Sequence, residues 1–217
     1  MSEAGILFDV DGTLVDSTYL HTVAWWQALR RYGHEVPTAE IHRAVGMGSD
    51  TLLEHFLGDD ADDRIADAHN EFYRPWLEQV RPLPGTADLL RACARRGLAV
   101  VLASSAGEQE LGTLRQILGA DDVITAATSS ADAERSKPAP DILEAALAKA
   151  GLRAERCLFV GDSVWDVDAA TKLGLPCIGL TSGGTSAAEL TGRGAVATYD
   201  DPAALLDGLA DSPIAQL

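Results

Sequence analysis

Two aspartates, Asp9 and Asp11, stand two residues apart at the end of the apolar run Gly5-Ile6-Leu7-Phe8, and Gly12 follows at once. In an extended chain residues i and i+2 share a face, so both carboxyls can address one ligand while glycine lets the backbone turn beside it. Further along, the apolar run 156–161 ends in Asp162 and Ser163, with Asp166 one helical turn later. The run 98–103 ends in Ser104 and Ser105, and Lys137-Pro138 precedes a helical pattern. In parallel α/β sheets ligands bind beyond the carboxyl ends of strands, so these groups are expected on one rim. Four gathered aspartates are unstable unless a hard cation sits among the oxygens, a carboxyl keeps its proton, or both. Oxygen donors without His or Cys favour Mg²⁺, which commonly bridges carboxylates and a substrate phosphate. Lys137, the Ser104 hydroxyl and nearby backbone N–H groups supply local positive potential. The combination points to phosphoryl transfer.

Strands must deliver these residues. Short apolar runs at 5–9, 98–103, 122–125, 156–161, 176–180 and 195–198 read as buried strands. Helical patterns at 85–96, 107–118, 139–150 and 163–173 lie between them, and Gly97, Gly119, Gly151 and Gly174 stand as C-terminal stops. The alternation predicts an α/β fold, a Rossmann-like parallel sheet with helices on both faces. From about Asp16 to Pro82 the alternation breaks into four helical candidates, 17–32, 38–45, 49–57 and 61–80. The expected organisation is a core of 1–15 and 83–217 and an inserted all-helical cap of 16–82, hinged at 12–16 and 82–85.

Composition narrows the function by exclusion. The chain has 217 residues, 17 Lys+Arg against 33 Asp+Glu, and a net charge of −16. A nucleic-acid clamp or polybasic membrane anchor needs basic surface, so neither is expected, and no obligate protein partner is evident. An anionic small molecule would be repelled by the average field, so its site must supply positive charge locally. Cys93, Cys157 and Cys177 are far apart in apolar or helical surroundings and are expected as buried free thiols. Neither a basic-then-apolar leader nor a run of about 18 apolar residues is seen, so a soluble cytoplasmic protein is expected.

At these residues the chain resembles the haloacid dehalogenase superfamily. Four signatures carry the resemblance in order: Phe8-Asp9-Val10-Asp11-Gly12-Thr13-Leu14, the Ser104 closing the second strand, Lys137-Pro138-Ala139-Pro140-Asp141, and Gly161-Asp162-Ser163-Val164-Trp165-Asp166. The helical insert matches the subgroup with a helical cap. The resemblance implies that Asp9 attacks phosphorus to form an aspartyl-phosphate. Asp11 would be general acid to the leaving oxygen and then base for the hydrolytic water, roles that suit a carboxyl raised by anionic neighbours. It also implies Mg²⁺ held by the Asp9 carboxylate, the Asp11 backbone carbonyl and Asp162, with Asp166 a direct or water-mediated ligand. Ser104 and the Ser105 amide would bind phosphoryl oxygens, Thr13 belongs to the substrate-binding set, and Lys137 would neutralise charge between nucleophile and phosphate. Members that displace halide lack the second acid, since halide needs no proton; Asp11 therefore favours phosphate chemistry.

Substrate choice is expected in the cap. His21, beside Trp25 and Trp26 on the first cap helix, reads as a substrate contact or proton relay, against an ordinary surface or interface histidine. At least one of the two tryptophans belongs to the cap's own core. Gly46-Met47-Gly48-Ser49 reads as a specificity loop touching substrate, against a plain interhelical turn, and Tyr73, Arg74 and Trp76 are candidates for the cleft, although a surface arginine that snorkels is commoner. The stretch from His21 to Trp25 resembles β-phosphoglucomutases, which carry an Arg and a Lys at the places where this chain, in an approximate alignment, holds Ser49 and Pro75. A mutase must grip a bisphosphate at both ends, so loss of two cations favours a phosphatase acting on a sugar phosphate or phosphoglycolate-like metabolite. The phosphosugar mutase is the alternative, and a phospho-acceptor signalling module a more distant one.

Overall fold

The computed structural model describes residues 3–217, so the first two residues of the expected core segment lie outside it. Six strands form one parallel sheet: β1 (Gly5–Phe8), β2 (Ala99–Ala103), β3 (Ile124–Thr128), β4 (Cys157–Gly161), β5 (Cys177–Leu180) and β6 (Ala197–Tyr199), in the order β3-β2-β1-β4-β5-β6. The sequence reverses direction across the sheet between β1 and β4, and this switch point is where open α/β sheets leave a crevice for ligands. Helices α5 (Thr86–Arg95), α6 (Glu108–Leu118), α7 (Asp141–Ala150), α8 (Val164–Lys172), α9 (Ala187–Arg193) and α10 (Pro202–Asp207) connect and cover the strands. Successive β1 side chains enter different cores. Ile6 and Phe8 pack with Leu89, Leu90 and Leu114 on one face, and Leu7 with Ile142, Leu143 and Phe159 on the other. Burial on both faces is why this strand reads as a continuous apolar run rather than an alternating one.

Four helices occupy the insert: α1 (Thr18–Arg31), α2 (Thr38–Ala44), α3 (Ser49–Leu57) and α4 (Asp63–Leu77). They bury a separate apolar cluster of Trp25, Ala28, Leu29, Ile41, Leu52, Leu53 and Ile65. Trp26 packs only partly against it, with the Arg30 guanidinium 5.0 Å above its ring. The two connecting segments run antiparallel, with Asp16 N–H donating to Arg81 O and Leu83 N–H to Leu14 O. The insert also rests on the core at its far side. Trp165 Nε1 donates to Arg43 O at 2.9 Å, and His42 Nε2 lies 2.9 Å from Gly183 O.

Element boundaries shift where tertiary pairing outweighs local pattern. The strand expected at 122–125 is β3 at Ile124–Thr128, because Asp121–Val123 forms a 3₁₀ turn and pairing with β2 fixes Val100 opposite Ile124 and Ala103 opposite Thr128. The strand expected at 195–198 is β6 at Ala197–Tyr199, in register with Ile178–Leu180 of β5. Helix α4 is shorter than 61–80 because the Asp62 carboxylate accepts the Arg64 N–H and starts the helix there. All three cysteines are buried free thiols; burial pushes the Cys93 thiol up to about 12. Among the described residues no helix is long and apolar enough to cross a membrane.

Candidate active site

The loop after β1 and the start of α8 meet at the switch point. Asp9 N–H donates to Val160 O of β4, and Gly12 turns the chain with φ +78°, where a β-carbon would run into Asp162. Lys137 is 1% exposed, and its Nζ lies 2.5 Å from Asp9 Oδ1 and 2.8 Å from Asp166 Oδ1. Asp9, Asp162 and Asp166 each place an oxygen within 4.8 Å of the others'.

Charge in this group is unbalanced. Burial raises the Asp9 carboxyl to about 7; Lys137 opposes the shift, and Asp166 and Asp11 add to it. Burial, then Asp166 and Asp9, pushes Asp162 well above the carboxylate range. Burial pulls Lys137 down, but the charges of Asp166 and Asp9 outweigh it and hold the ammonium well above the usual lysine range. One ammonium does not neutralise three buried carboxylates. The missing charge and the all-oxygen donor set suit a hard divalent cation, which these residues can hold.

Several expected roles change. Thr13, expected to touch substrate, is fully buried. Its Oγ1 lies 2.9 Å from Asp162 Oδ1 and 3.3 Å from Asp9 Oδ2, so its hydroxyl orients the carboxylates from behind. Ser104 is likewise buried, and its Oγ accepts the Ala106 N–H at 3.0 Å, shaping the turn after β2; Ser105, Ala106 and Gly107 reach the cavity instead. Asp166 closes a capping box at the start of α8. Its Oδ2 accepts from Ser163 N–H and Oγ, and its Oδ1 faces Lys137.

Asp11 does not join the other three acids. Its Oδ1 accepts from Ser17 Oγ at 2.6 Å and lies 3.2 Å from His21 Nε2. Burial alone would raise its pKa, but the hydrogen bond and charge of His21 and the Ser17 hydroxyl lower it, contrary to the elevation expected from anionic neighbours. Burial opposes the charge on His21 in turn, yet Asp11 raises its pKa. The two groups share a proton that favours the imidazole. Behind them His21 stacks on Tyr73 with ring centroids 3.8 Å apart, and His21 Nδ1 is 3.2 Å from His69 Nε2. His69 stacks on Trp25 and has its Nδ1 3.1 Å from Asn70 Oδ1.

Burial, followed by the nearby charge of His21, lowers His69 to about 3. A depressed histidine contributes stability that is present above its unfolded value of 6.5 and is lost as pH falls toward 3. Between pH 7.5 and pH 5 the raised carboxyls of Asp9, Asp162 and Glu110 act in the opposite sense, gaining stability as they protonate, so the His69 contribution is read as a difference: in urea unfolding His69→Gln is expected to lose less, or gain more, stability than the wild type over this interval. An equal change in the two proteins would remove His69 from the acid response.

A cavity of about 200 Å³ opens over Asp9, Asp11 and Lys137. His21, Gly46, Met47, Gly48 and Ser49, the cap candidates for substrate contact, line it, and so does Trp25, which also belongs to the insert's own core. Arg74 is exposed and Trp76 packs toward the main core, and neither lines the cavity; Tyr73 acts through its stack on His21. His69, Asn70, Ser130, Ser136 and Glu110 also line it and were not singled out from sequence. For His69 and Asn70 the available signal was spacing, since they share an α4 face with Tyr73. Glu110 carried none beyond its place one turn into the helix after Ser104-Ser105.

A family model for haloacid dehalogenase-like hydrolases matches residues 4–174. A phosphoglycolate phosphatase from Yersinia pestis is 34% identical over 190 residues, covering 82% of this chain and 81% of that one. A hydrolase from Pseudomonas syringae superposes with a TM-score of 0.87 at 31% identity, covering 96% of this chain and 98% of that chain. A β-phosphoglucomutase from Clostridium difficile shares the fold at a TM-score of 0.79 and 20% identity, over 93% of this chain and 92% of that one. With the four signatures assembled at one sheet rim, this chain is a phosphatase of the haloacid dehalogenase-like hydrolase family.

Proposed function

We propose that the protein is a Mg²⁺-dependent phosphomonoesterase that hydrolyses a small phosphorylated metabolite through an aspartyl-phosphate on Asp9. The observation that carries this reading is the Asp9 carboxylate on the floor of the cavity, with one oxygen against Lys137 and Asp11 beside it. Phosphoglycolate phosphatase relatives support a phosphorylated small molecule as substrate.

Asp9 attacks phosphorus, forming an O–P bond as the bond to the leaving oxygen breaks. That oxygen takes a proton held between Asp11 and His21. Asp11 then accepts a proton from the water that attacks the acyl phosphate, which releases phosphate and restores Asp9. Lys137 stays charged throughout and steadies the equatorial oxygens together with the backbone N–H groups of Ser105 and Gly107, while that of Ala106 is held by Ser104 Oγ. Mg²⁺ bound by Asp9 and Asp162, with Asp166 direct or through water, would supply Lewis-acid neutralisation of the transferring phosphoryl group. The helical insert 16–82 would serve as the cap that excludes bulk water.

The mutase alternative requires a grip on a second phosphate. Among the described residues the cavity presents no lysine or arginine except Lys137 on its floor; Ser49 lines it, whereas Pro75 is exposed on α4. A signalling module is disfavoured by Ser104-Ser105 at the end of β2, where such modules place an acceptor aspartate. A cytoplasmic setting, with no nucleic-acid or membrane partner, accords with the free thiols and the acidic charge. Purified protein is expected to release phosphate from p-nitrophenyl phosphate over many turnovers with Mg²⁺, to stop when a chelator is added and to recover when Mg²⁺ is restored. Release halting at one equivalent, or unaffected by chelation, contradicts the proposal.

A further inference from the structure

The proposed chemistry leaves Glu110 unused. This residue lies in the first turn of α6 and lines the cavity with a side chain 20% exposed, and its Oε1 is 4.0 Å from His21 Nε2. That oxygen is closed off from solvent and has no hydrogen-bond partner. A sealed, unpartnered acceptor is costly unless a ligand supplies a donor. The outer torsion of a glutamate is broad and nearly two-fold, so either oxygen can turn to the cavity. Burial and then the charge of Asp11 raise this carboxyl to about 7, with His21 opposing.

The surrounding charges restrict what can bind beside it. Lys137 is committed to Asp9 and Asp166, His21 to Asp11, and buried His69 is held neutral. A carboxylate on the leaving group would therefore lie near Asp11 and Glu110 without a free cation. An ammonium can donate to Glu110 but, unlike a hydroxyl, has no lone pair to accept from the Asn70 amide or the serine hydroxyls. Hydroxyls meet better partners: the Glu110 carboxyl, the Asn70 amide and the hydroxyls of Ser49 and Ser136, with Trp25 and Met47 offering apolar surface to C–H groups. The volume of about 200 Å³ lies below the ~300 Å³ at which drug-sized sites begin, so the leaving group is short.

We propose that Glu110 is a specificity residue that accepts a hydrogen bond from a hydroxyl of the leaving group, selecting short phosphorylated polyols over phosphorylated carboxylic acids. The inference rests on the phosphomonoesterase reading and departs from the substrate in the relatives' names. Its test compares kcat/KM for glycerol 1-phosphate, 2-phosphoglycolate, phosphoethanolamine and p-nitrophenyl phosphate, all with Mg²⁺, in the wild type and in Glu110→Leu, which has no acceptor. The wild type is expected to favour glycerol 1-phosphate over 2-phosphoglycolate by at least about 10-fold, and Glu110→Leu to reduce that ratio by about 10- to 100-fold. Hydrolysis of p-nitrophenyl phosphate combined with a wild-type preference for 2-phosphoglycolate or phosphoethanolamine overturns the inference and leaves the phosphatase reading standing. A ratio unmoved in a folded Glu110→Leu protein overturns it as well. Should that variant not fold, the wild-type ranking alone decides. No hydrolysis of any of the four overturns both readings.

Discussion

Asp9→Asn is expected to abolish phosphate release, lowering kcat by at least ~10⁴-fold, the scale seen when a covalent nucleophile is removed. An amide is nearly isosteric with the carboxyl, so the variant can keep the bond from Asp9 N–H to Val160 O and the packing of β1. Its oxygen is a far poorer nucleophile, and one ligand charge is lost from the group formed with Asp162 and Asp166. Burial also holds the Asp9 carboxyl near 7, so the substitution removes a charge the apo protein does not readily bear. The expected pattern is lost turnover with retained or increased stability, measured as phosphate release beside a urea melt. Wild-type turnover in the variant would sink the assignment of nucleophile. Loss of folding would instead place Asp9 among structural residues.

Lys137→Ala carries the second large effect, and here stability falls with activity. The ammonium stands between two buried carboxylates, 2.5 Å from Asp9 Oδ1 and 2.8 Å from Asp166 Oδ1. Removing one partner of a buried ion pair strands the other, which typically costs about 3–5 kcal/mol. The penalty comes from the charge left behind, so Asp9→Asn in the Lys137→Ala background is expected to recover part of the lost stability, a coupling visible in a double-mutant cycle of urea midpoints. Strict additivity would mean that Lys137 stabilises the fold by packing its stem near Phe159 rather than by charge. Mg²⁺ is expected to raise the variant's midpoint as well, since it supplies positive charge to the same oxygens.

Much of the framework was legible because the relevant signals are local. A fully apolar β1 announces a strand covered on both faces, and the helical pattern expected from 163 becomes α8, opened by the Ser163–Asp166 capping box. The segment Ile124–Thr128 was less legible. It is polar-interrupted and only partly buried, so pairing with β2, not its own pattern, sets its limits. Side-chain partners were harder still. Four aspartates read from the sequence as one cluster, yet the fold turns Asp11 away to Ser17 and His21 while Asp9, Asp162 and Asp166 stay together.

That division follows from distance along the chain. The order of the motifs, the strand ends that carry them and a surplus of negative charge that a cation or a retained proton can relieve are properties of short segments and of charge, so the sequence by itself determined them. Whether Thr13 and Ser104 face substrate or back up their neighbours depends on residues such as Asp162, 149 positions from Thr13. Glu110 joined the cavity only because α6 brings it beside α1 of the insert, where His21 lies 4.0 Å away. Burial and hydrogen-bond partners then decide which carboxyl keeps a proton and which keeps its charge, and both are set by elements that meet only in the folded chain.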